Sequence, residues 1–389
     1  MHNGTWVLRS ACGFVLSGIL IAGLWPFHSP RNDVAWVPAG NGLTFGPHGS
    51  IVSSGEFDSS GPKVDSSCSI ELWLRPRAGG RSGTVLAFYH PNDSRNSLLL
   101  RQSSGDLLVQ IDRQNGERFR FYVRRVFLSD TPLFITITSS ARGTVAYIDG
   151  REFERFPRYQ VREEDLSGKL LVGNSPVETH EWSGQLLALA FYHQELTPSE
   201  ILQHNRDWTE HKVSAISENA HAVAVYPFNE GTGSVAHNRI DGTTSLLIPK
   251  RFFVVNKKFL TWPWNEFYRG RSYWRNVAIN IGGFVPLGYC FFAYLCSARM
   301  TSRPALTTVI LGFIVSLTIE VLQGFLPTRD SGLTDVITNT LGTAAGTMSY
   351  RYYRVSFASK VAKQHENVDP YSLGGWTGRN RGNQNRTNF

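Results

Sequence analysis

The chain has 389 residues, enough for two or more domains. Hydrophobic residues make up 41% of it and the mean hydropathy is −0.20, so any membrane-spanning part is local and balanced by a large polar remainder. The net charge of +8 comes from Lys and Arg gathered beside apolar segments and near the C-terminus, not interleaved with aromatics on one face; this excludes nucleic acid as the expected partner and favours a membrane surface.

The first predicted element is a transmembrane helix over 7–26. Its apolar run ACGFVLSGILIAGLWP at 11–26 follows Arg9, and Trp6 extends it to spanning length. No convincing small-x-small cleavage site follows, so an uncleaved anchor is expected in place of a signal peptide. Four cysteines offer neither a disulfide framework nor a CxxC metal site: Cys12, Cys290 and Cys296 lie in apolar segments, and Cys68 is alone in the polar region.

Residues 30–249 read as all-β. Alternating or β-rich runs recur at short intervals: IELWLRP at 70–76, TVLAFYH at 84–90, SLLLRQ at 97–102 and DLLVQID at 106–112. RFRFYVR at 118–124, LFITITS at 133–139, TVAYIDG at 144–150 and GQLLALAFYHQ at 184–194 continue the series. Such a density of short strands predicts a two-sheet sandwich or jelly roll. Thr197-Pro198-Ser199-Glu200 then opens a short helix with a capping box. SIELWLRP, TVAYIDGRE, LLVGN at 170–174 and SGQLLALAFYHQELTPSEI, in that order, resemble the concanavalin A-like, laminin-G-like domain over about 40–205. The following AVYPFNEGTGSVAHN reads either as a terminal hairpin completing the sandwich or as the remnant of a second copy.

That resemblance implies carbohydrate binding, with calcium in some relatives and glycan hydrolysis in others. The hydrolases' Glu-x-Asp-x-x-Glu strand pattern is absent, so binding is expected over catalysis and no catalytic residue is assigned. Glu163, Glu164, Asp165, Glu178 and Glu181 read as solvated loop carboxylates. Asn174 and Asp149 read as turn residues, with calcium ligation the alternative. No cofactor is expected; calcium in the β-sandwich is the one option left open, and no metal ligand set is assigned.

Residues 250–275 mix Lys257, Lys258, Arg269, Arg271 and Arg275 with Trp262, Trp264, Phe267, Tyr268, Tyr273 and Trp274, the pattern of an interfacial segment. Three further membrane helices are predicted at about 277–297, 305–326 and 332–350, which makes about four in all. Arg299 and Arg303, and then Arg351, Arg354, Lys360 and Lys363, fall on one side, the cytoplasmic side by charge bias. The basic residues before the second helix oppose that assignment. The polar, glycine-rich, basic tail over 353–389 is expected to be disordered and cytoplasmic.

The helices contain Asn280-x-x-x-Phe284-Val-Pro286-Leu-Gly288, then Ser316-Leu-Thr-Ile-Glu320-Val-Leu-Gln323, then Arg329, and finally Asp335-x-x-x-Asn339-x-x-Gly342-x-x-x-Gly346. This order resembles the VanZ-like family, named for a teicoplanin-resistance protein, and covers a domain at about 276–352. The resemblance makes the β region an insertion between the first and second helices, outside the cell, with both termini cytoplasmic.

A carboxylate at membrane depth costs several kcal/mol unless it is paired, hydrated or near the surface, so Glu320 and Asp335 need an explanation. At helical spacing Ser316, Glu320 and Gln323 share one face, as do Asp335, Asn339, Gly342 and Gly346. Pro286, Gly288, Gly342 and Gly346 are expected to serve helix packing. Asn280, Glu320, Gln323, Arg329, Asp335 and Asn339 are expected to converge near the outer surface as a polar cluster. That cluster is read as a buried network with Arg329 pairing Glu320 or Asp335, as a pocket for a lipid headgroup or other amphiphile, or as a catalytic carboxylate pair. The expectation is a bacterial multi-pass protein of the cytoplasmic (inner) membrane whose lectin-like domain binds a cell-envelope glycan or glycoconjugate. An envelope enzyme acting on a surface polysaccharide or lipid-linked glycan, and a non-catalytic scaffold or sensor, are the alternatives.

Overall fold

The computed structural model describes residues 2–38, 40–58, 66–77, 82–91, 96–176, 180–210 and 212–366. The chain opens with helix α1 (His2–Leu24) and strands β1 (Val34–Trp36), β2 (Leu43–Phe45), β3 (Ile51–Ser53), β4 (Cys68–Pro76) and β5 (Gly83–Tyr89). Next come β6 (Asn96–Ser103), β7 (Asp106–Asp112), β8 (Arg118–Val123), β9 (Leu133–Ser140), β10 (Gly143–Ile148) and β11 (Arg151–Phe156). Strands β12 (Lys169–Val172) and β13 (Gly184–Tyr192) precede helices α2 (Pro198–Thr209) and α3 (Val213–Ser217). Strands β14 (Ala222–Tyr226), β15 (Val235–Ala236) and β16 (Leu246–Leu247) are followed by α4 (Pro263–Glu266), α5 (Arg271–Ala298), α6 (Pro304–Gln323) and α7 (Leu333–Glu366).

Two units result. One is Leu24–Leu260 with Val321–Ser331; the other gathers the long helices, with α6 counted as far as Glu320. In the first unit two eight-stranded antiparallel sheets stack as a jelly-roll-like sandwich. One runs β1-β2-β13-β4-β9-β10-β11, with β14 also on β13; the other runs β15-β16-β3-β12-β5-β6-β7-β8. Alternation explains the core: Ile70, Leu72 and Leu74 of β4 meet Leu98 and Leu100 of β6 and Val109 of β7 in one buried cluster. Within the expected hairpin segment, β14 pairs with the end of β13 while β15 pairs with β16 in the other sheet, so the segment completes the sandwich but not as a hairpin. The two ends of the sandwich are also tied together. Asn32 N–H donates to the Lys250 carbonyl at 3.3 Å and Phe252 N–H to the Pro30 carbonyl at 3.1 Å.

The second face of the β4–β9–β13 sheet is covered over part of its length by α2. Thr197 caps this helix and Glu200 returns the capping box, as its sequence predicts. Ile201 and Trp208 pack onto Phe134, Ala190 and Tyr192. Glu71, one position off the core row of β4, sits buried beneath the helix. It accepts hydrogen bonds from Tyr192 Oη at 2.8 Å and Trp208 Nε1 at 3.2 Å, and pairs with His204 Nδ1 at 2.9 Å. Burial disfavours the imidazolium, but the hydrogen bond and charge of Glu71, helped by Glu200 and Asp207, outweigh it and raise the His204 pKa.

In the helical unit, α1, α5 and α6 are long and apolar enough to cross a membrane. Seven α-helices occur among the described residues, where about four were expected; α2 is the short helix announced by its capping box, and α3 and α4 are short additions. The last helix continues past the expected end at 350 through Glu366, so 353–366 is helical and not a disordered tail. Its Tyr352, Tyr353, Val355 and Phe357 carry the segment's helix beyond the glycine-rich part. The remainder, 367–389, lies outside the described residues. In the 250–275 segment α4 carries Trp264, which stacks on Trp262 with ring centroids 4.9 Å apart, and α5 begins at Arg271, ahead of the expected start at about 277.

Small residues set the helix spacing. A side chain at Gly342 would meet the carbonyl of Ile281, one at Gly346 the carbonyl of Val285, and one at Gly288 the carbonyl of Thr343. Helices α5 and α7 therefore run parallel with their backbones in close approach. Pro286 lies inside α5. Thr338, Thr343 and Thr347 of α7 each donate their hydroxyl to the carbonyl four residues back, at 2.9, 3.0 and 2.9 Å, which satisfies these buried hydroxyls within the helix.

Glu71→Ala is expected to lower the stability of the full chain by about 3–5 kcal/mol, because it strands a buried imidazolium and two donors. Protonated His204 stabilises the fold fully below its unfolded pKa of about 6.5 and ceases to do so as pH rises through the higher folded value. Thermal unfolding in detergent micelles should therefore show a decline above neutral pH that His204→Gln removes.

Candidate functional site

Four strands of the first sheet carry an open row of side chains. Ala35 pairs with Thr44, Thr44 with Gln185, and Gln185 with Arg75, across β1, β2, β13 and β4. Their neighbours Phe45, Leu186 and Leu74 point into the core, so alternation turns this row to the opposite face. On that face the apolar cluster under α2 reaches as far as Trp73, and Arg75, two residues on, is exposed. The uncovered part forms a groove of 860 Å³ whose polar lining is Asp33, Thr44, Arg75, Arg77, Asp130 and Gln185. Gln185 is held from both sides: Arg75 Nη1 donates to its Oε1 at 3.3 Å, and its Nε2 donates to Thr44 Oγ1 at 3.4 Å. Two carboxylates and two guanidinium groups balance in charge, a lining suited to a neutral ligand rich in hydroxyls.

The loop carboxylates divide. Asp165 is buried, against the expectation of a solvated charge, because Glu163–Leu166 forms a 3-10 turn that folds its third acid inward. Arg113 grips it with two bonds, Nε to Oδ1 at 2.9 Å and Nη2 to Oδ2 at 2.7 Å, and the Arg162 N–H donates to it at 2.8 Å. Burial works against the Arg113 charge, but Asp165 and Glu117 outweigh it and push its pKa up. Glu164 is half exposed near Arg113 and Arg162, while Glu163 faces His193 and Glu181 faces His48. Glu178 lies outside the described residues. Asn174 Oδ1 accepts the N–H groups of Ser175 and His180 at 2.8 and 2.9 Å, and Asp149, at φ 50°, accepts that of Phe134 at 2.9 Å. Both therefore serve as turn residues. Among the described residues no group of three or more His, Cys, Asp or Glu is gathered to hold a metal ion. Cys68 is buried with its thiol toward the Val161 carbonyl, and burial together with the charges of Asp165 and Glu163 pushes its pKa up, so it is an unreactive thiol.

The membrane polar residues fall in both units. In the helical unit, Asn280 Nδ2 of α5 donates to Asp335 Oδ1 in the first turn of α7 at 2.7 Å. Glu320, 2% exposed, accepts the Gly332 N–H at 2.8 Å just before α7 begins. Glu266 accepts the Thr334 N–H at 3.1 Å. Three carboxylates thus surround the N-terminal end of α7, where free N–H groups and the helix dipole favour negative charge. Asn339 Nδ2 donates to Ser316 Oγ at 2.9 Å, while its Oδ1 is buried with no hydrogen-bond partner.

Gln323 and Arg329 belong to the other unit. Arg329 donates from Nε and Nη2 to the Trp25 carbonyl at 2.9 and 2.6 Å. Lys257 Nζ donates to the carbonyls of Gln323 and Leu326, which end α6. Sequence reasoning missed Glu266 and the whole groove row. The period-2 alternation of β4 and β13 is the signal that could have placed Arg75 and Gln185 outward, but only strand register brings them together with Thr44.

Two family models match separate parts of the chain. Residues 53–202 match the concanavalin A-like lectin/glucanases superfamily and residues 220–355 match VanZ/LLP1. Comparison with curated proteins found no match. Among solved structures, a candidate carbohydrate binding protein from Bacteroides ovatus aligns at 12% identity over 56% of this chain and 58% of its own, with a TM-score of 0.39. The ligand binding domain of botulinum neurotoxin serotype D in complex with N-acetylneuraminic acid aligns at 12% identity over 46% of this chain and 45% of its own, with a TM-score of 0.31. This chain thus spans little more than half of the first and less than half of the second. It joins a concanavalin A-like, laminin-G-like sandwich to a VanZ-like domain with apolar helices long enough to cross a membrane.

Proposed function

We propose that this is a bacterial cytoplasmic-membrane protein that displays its sandwich outside the cell and binds a cell-envelope glycan or glycoconjugate in the groove of Thr44, Arg75 and Gln185. The observation that carries this reading is the uncovered half of the outer sheet face. There a row of hydrogen-bonding side chains lines an 860 Å³ groove, while the other half is sealed by α2. Glycan hydroxyls need many donors and acceptors of both kinds, and amide, guanidinium and carboxylate groups supply them. The helical unit anchors the sandwich. Residues 25–260 lie between α1 and α5, and a segment between consecutive spans stays on one side of the bilayer.

A second reading concerns the helical cluster. The unmatched Oδ1 of Asn339, next to Asp335 on one helix face, favours an amphiphile or lipid headgroup that brings a hydrogen-bond donor. Resemblance to the VanZ-like family, named for a teicoplanin-resistance protein, makes that glycopeptide the amphiphile to test.

Full-length protein in detergent should retain peptidoglycan fragments or envelope polysaccharide on a pull-down. The pair Arg75→Ala and Gln185→Ala should weaken retention at least about tenfold by losing hydrogen bonds to the ligand. Equal retention by the variant would remove the groove from the proposal.

Native Cys68 is buried and unsuited to labelling, so the outside location is tested at the exposed Asn115. In intact cells Asn115→Cys should react with a membrane-impermeant maleimide; reaction only after lysis would reverse the orientation.

For the helical cluster, the double variant Asn339→Leu with Ser316→Ala is expected to keep thermal stability within about 1 kcal/mol, since it removes the unmatched oxygen and both partners of the Asn339–Ser316 bond together. The same variant should abolish any teicoplanin tolerance that the wild-type chain confers on expressing cells. Tolerance unaffected by the two substitutions would refute the second reading.

A further inference from the structure

At the end of the helical unit away from Glu320, helices α5, α6 and α7 border a pocket of 630 Å³. Its apolar lining includes Phe292 near the end of α5, Leu306 in the first turn of α6 and Val355 on α7. Three exposed arginines share it: Arg303, immediately before α6, and Arg351 and Arg354, neighbours one turn apart on α7. No Asp or Glu lines the pocket. The sequence has no acidic residue between Glu266 and Glu320, and none between Asp335 and Glu366. Three like charges therefore stand together with no carboxylate among the residues that line the pocket, an arrangement that an incoming anion stabilises.

The depth fits a membrane boundary. Glu320 to Pro304 along α6, and Asp335 to Arg351 along α7, each rise about 24 Å, close to the roughly 30 Å of bilayer hydrocarbon. The arginine pocket and the carboxylate cluster thus lie at opposite ends of the helical unit, separated by nearly the thickness of a bilayer's hydrocarbon.

We propose that this pocket holds an anionic phospholipid, its phosphate on Arg303, Arg351 and Arg354 and an acyl chain along Phe292, Leu306 and Val355. The planar guanidinium fork matches phosphate oxygens two at a time, which an ammonium does not. Basic pockets between membrane helices take such headgroups, and here an apolar wall adjoins the charges. The chain's own segment 367–389 carries three arginines and one aspartate, so its charge does not suit it as the occupant. The site depends on α5, α6 and α7 being in the membrane and is independent of the glycan reading.

The test titrates the full chain in a neutral detergent with phosphatidylglycerol or phosphatidylcholine and counts bound lipid by native mass spectrometry. Phosphatidylglycerol should bind at least about tenfold tighter than phosphatidylcholine. Arg303→Gln, Arg351→Gln and Arg354→Gln together should bring the two lipids to within about twofold, by removing the phosphate partners. If the triple variant is not recovered folded, the Arg303→Gln and Arg354→Gln pair carries the same expectation. Arg299→Gln, at the same end but outside the pocket, should leave the preference intact. Equal binding of both lipids by the wild-type chain would overturn the proposal, as would an unchanged preference in the pocket variants or an equal loss in Arg299→Gln. Inorganic phosphate displacing the bound lipid at equimolar concentration would assign the site to a free anion and would equally overturn it.

Discussion

A charge taken out of water must find its partner within the chain, and three buried carboxylates of this protein do so in three ways. Glu71 gathers a phenol, an indole and an imidazole; Asp165 takes both arms of one guanidinium; Glu320 takes a backbone N–H at the positive end of a helix. Each partnership also decides where an element sits. Glu71 seats α2 over one part of the outer sheet face, and the part beyond Trp73 stays open as the groove. Asp165 folds the turn before β12 inward. Glu320 fixes the start of α7, from which the notches at Gly342 and Gly346 follow in register.

The helical unit reconciles a mildly apolar last helix with a tightly packed bundle. The hydroxyls of α7 return to its own carbonyls, so they demand no outside partner. Glycines then let the α7 backbone approach α5 more closely than side chains would permit. Polarity and intimacy go together here, since small hydroxylated residues serve both.

Much of this was legible from the residues. The strand series, the capping box of α2 and the Gly342–Gly346 spacing each carry a local rule that tertiary context did not override. Asn280 and Asp335 were expected together and are bonded, because their helices are set by those glycines. Other features depend on register or on distant chain. The groove joins residues from positions 33 to 185 whose only shared property is facing outward, and outwardness alone does not say which half α2 will cover. Asp165 looked solvated because it stands in an acidic run, yet Arg113, far away in sequence, draws it inward. The last helix ran past its glycine-rich stretch because the aromatic and β-branched residues after it hold no helix breaker.

The hydrogen-bonded ends of the sandwich have a consequence for how such a chain is assembled. Where the incoming strand at Pro30–Asn32 meets the outgoing one at Lys250–Phe252, the two ends of a stretch of more than two hundred residues pair directly with each other. The stretch from Pro30 to Phe252 thus brings its own ends together, and its strand order does not depend on where the flanking chain leads.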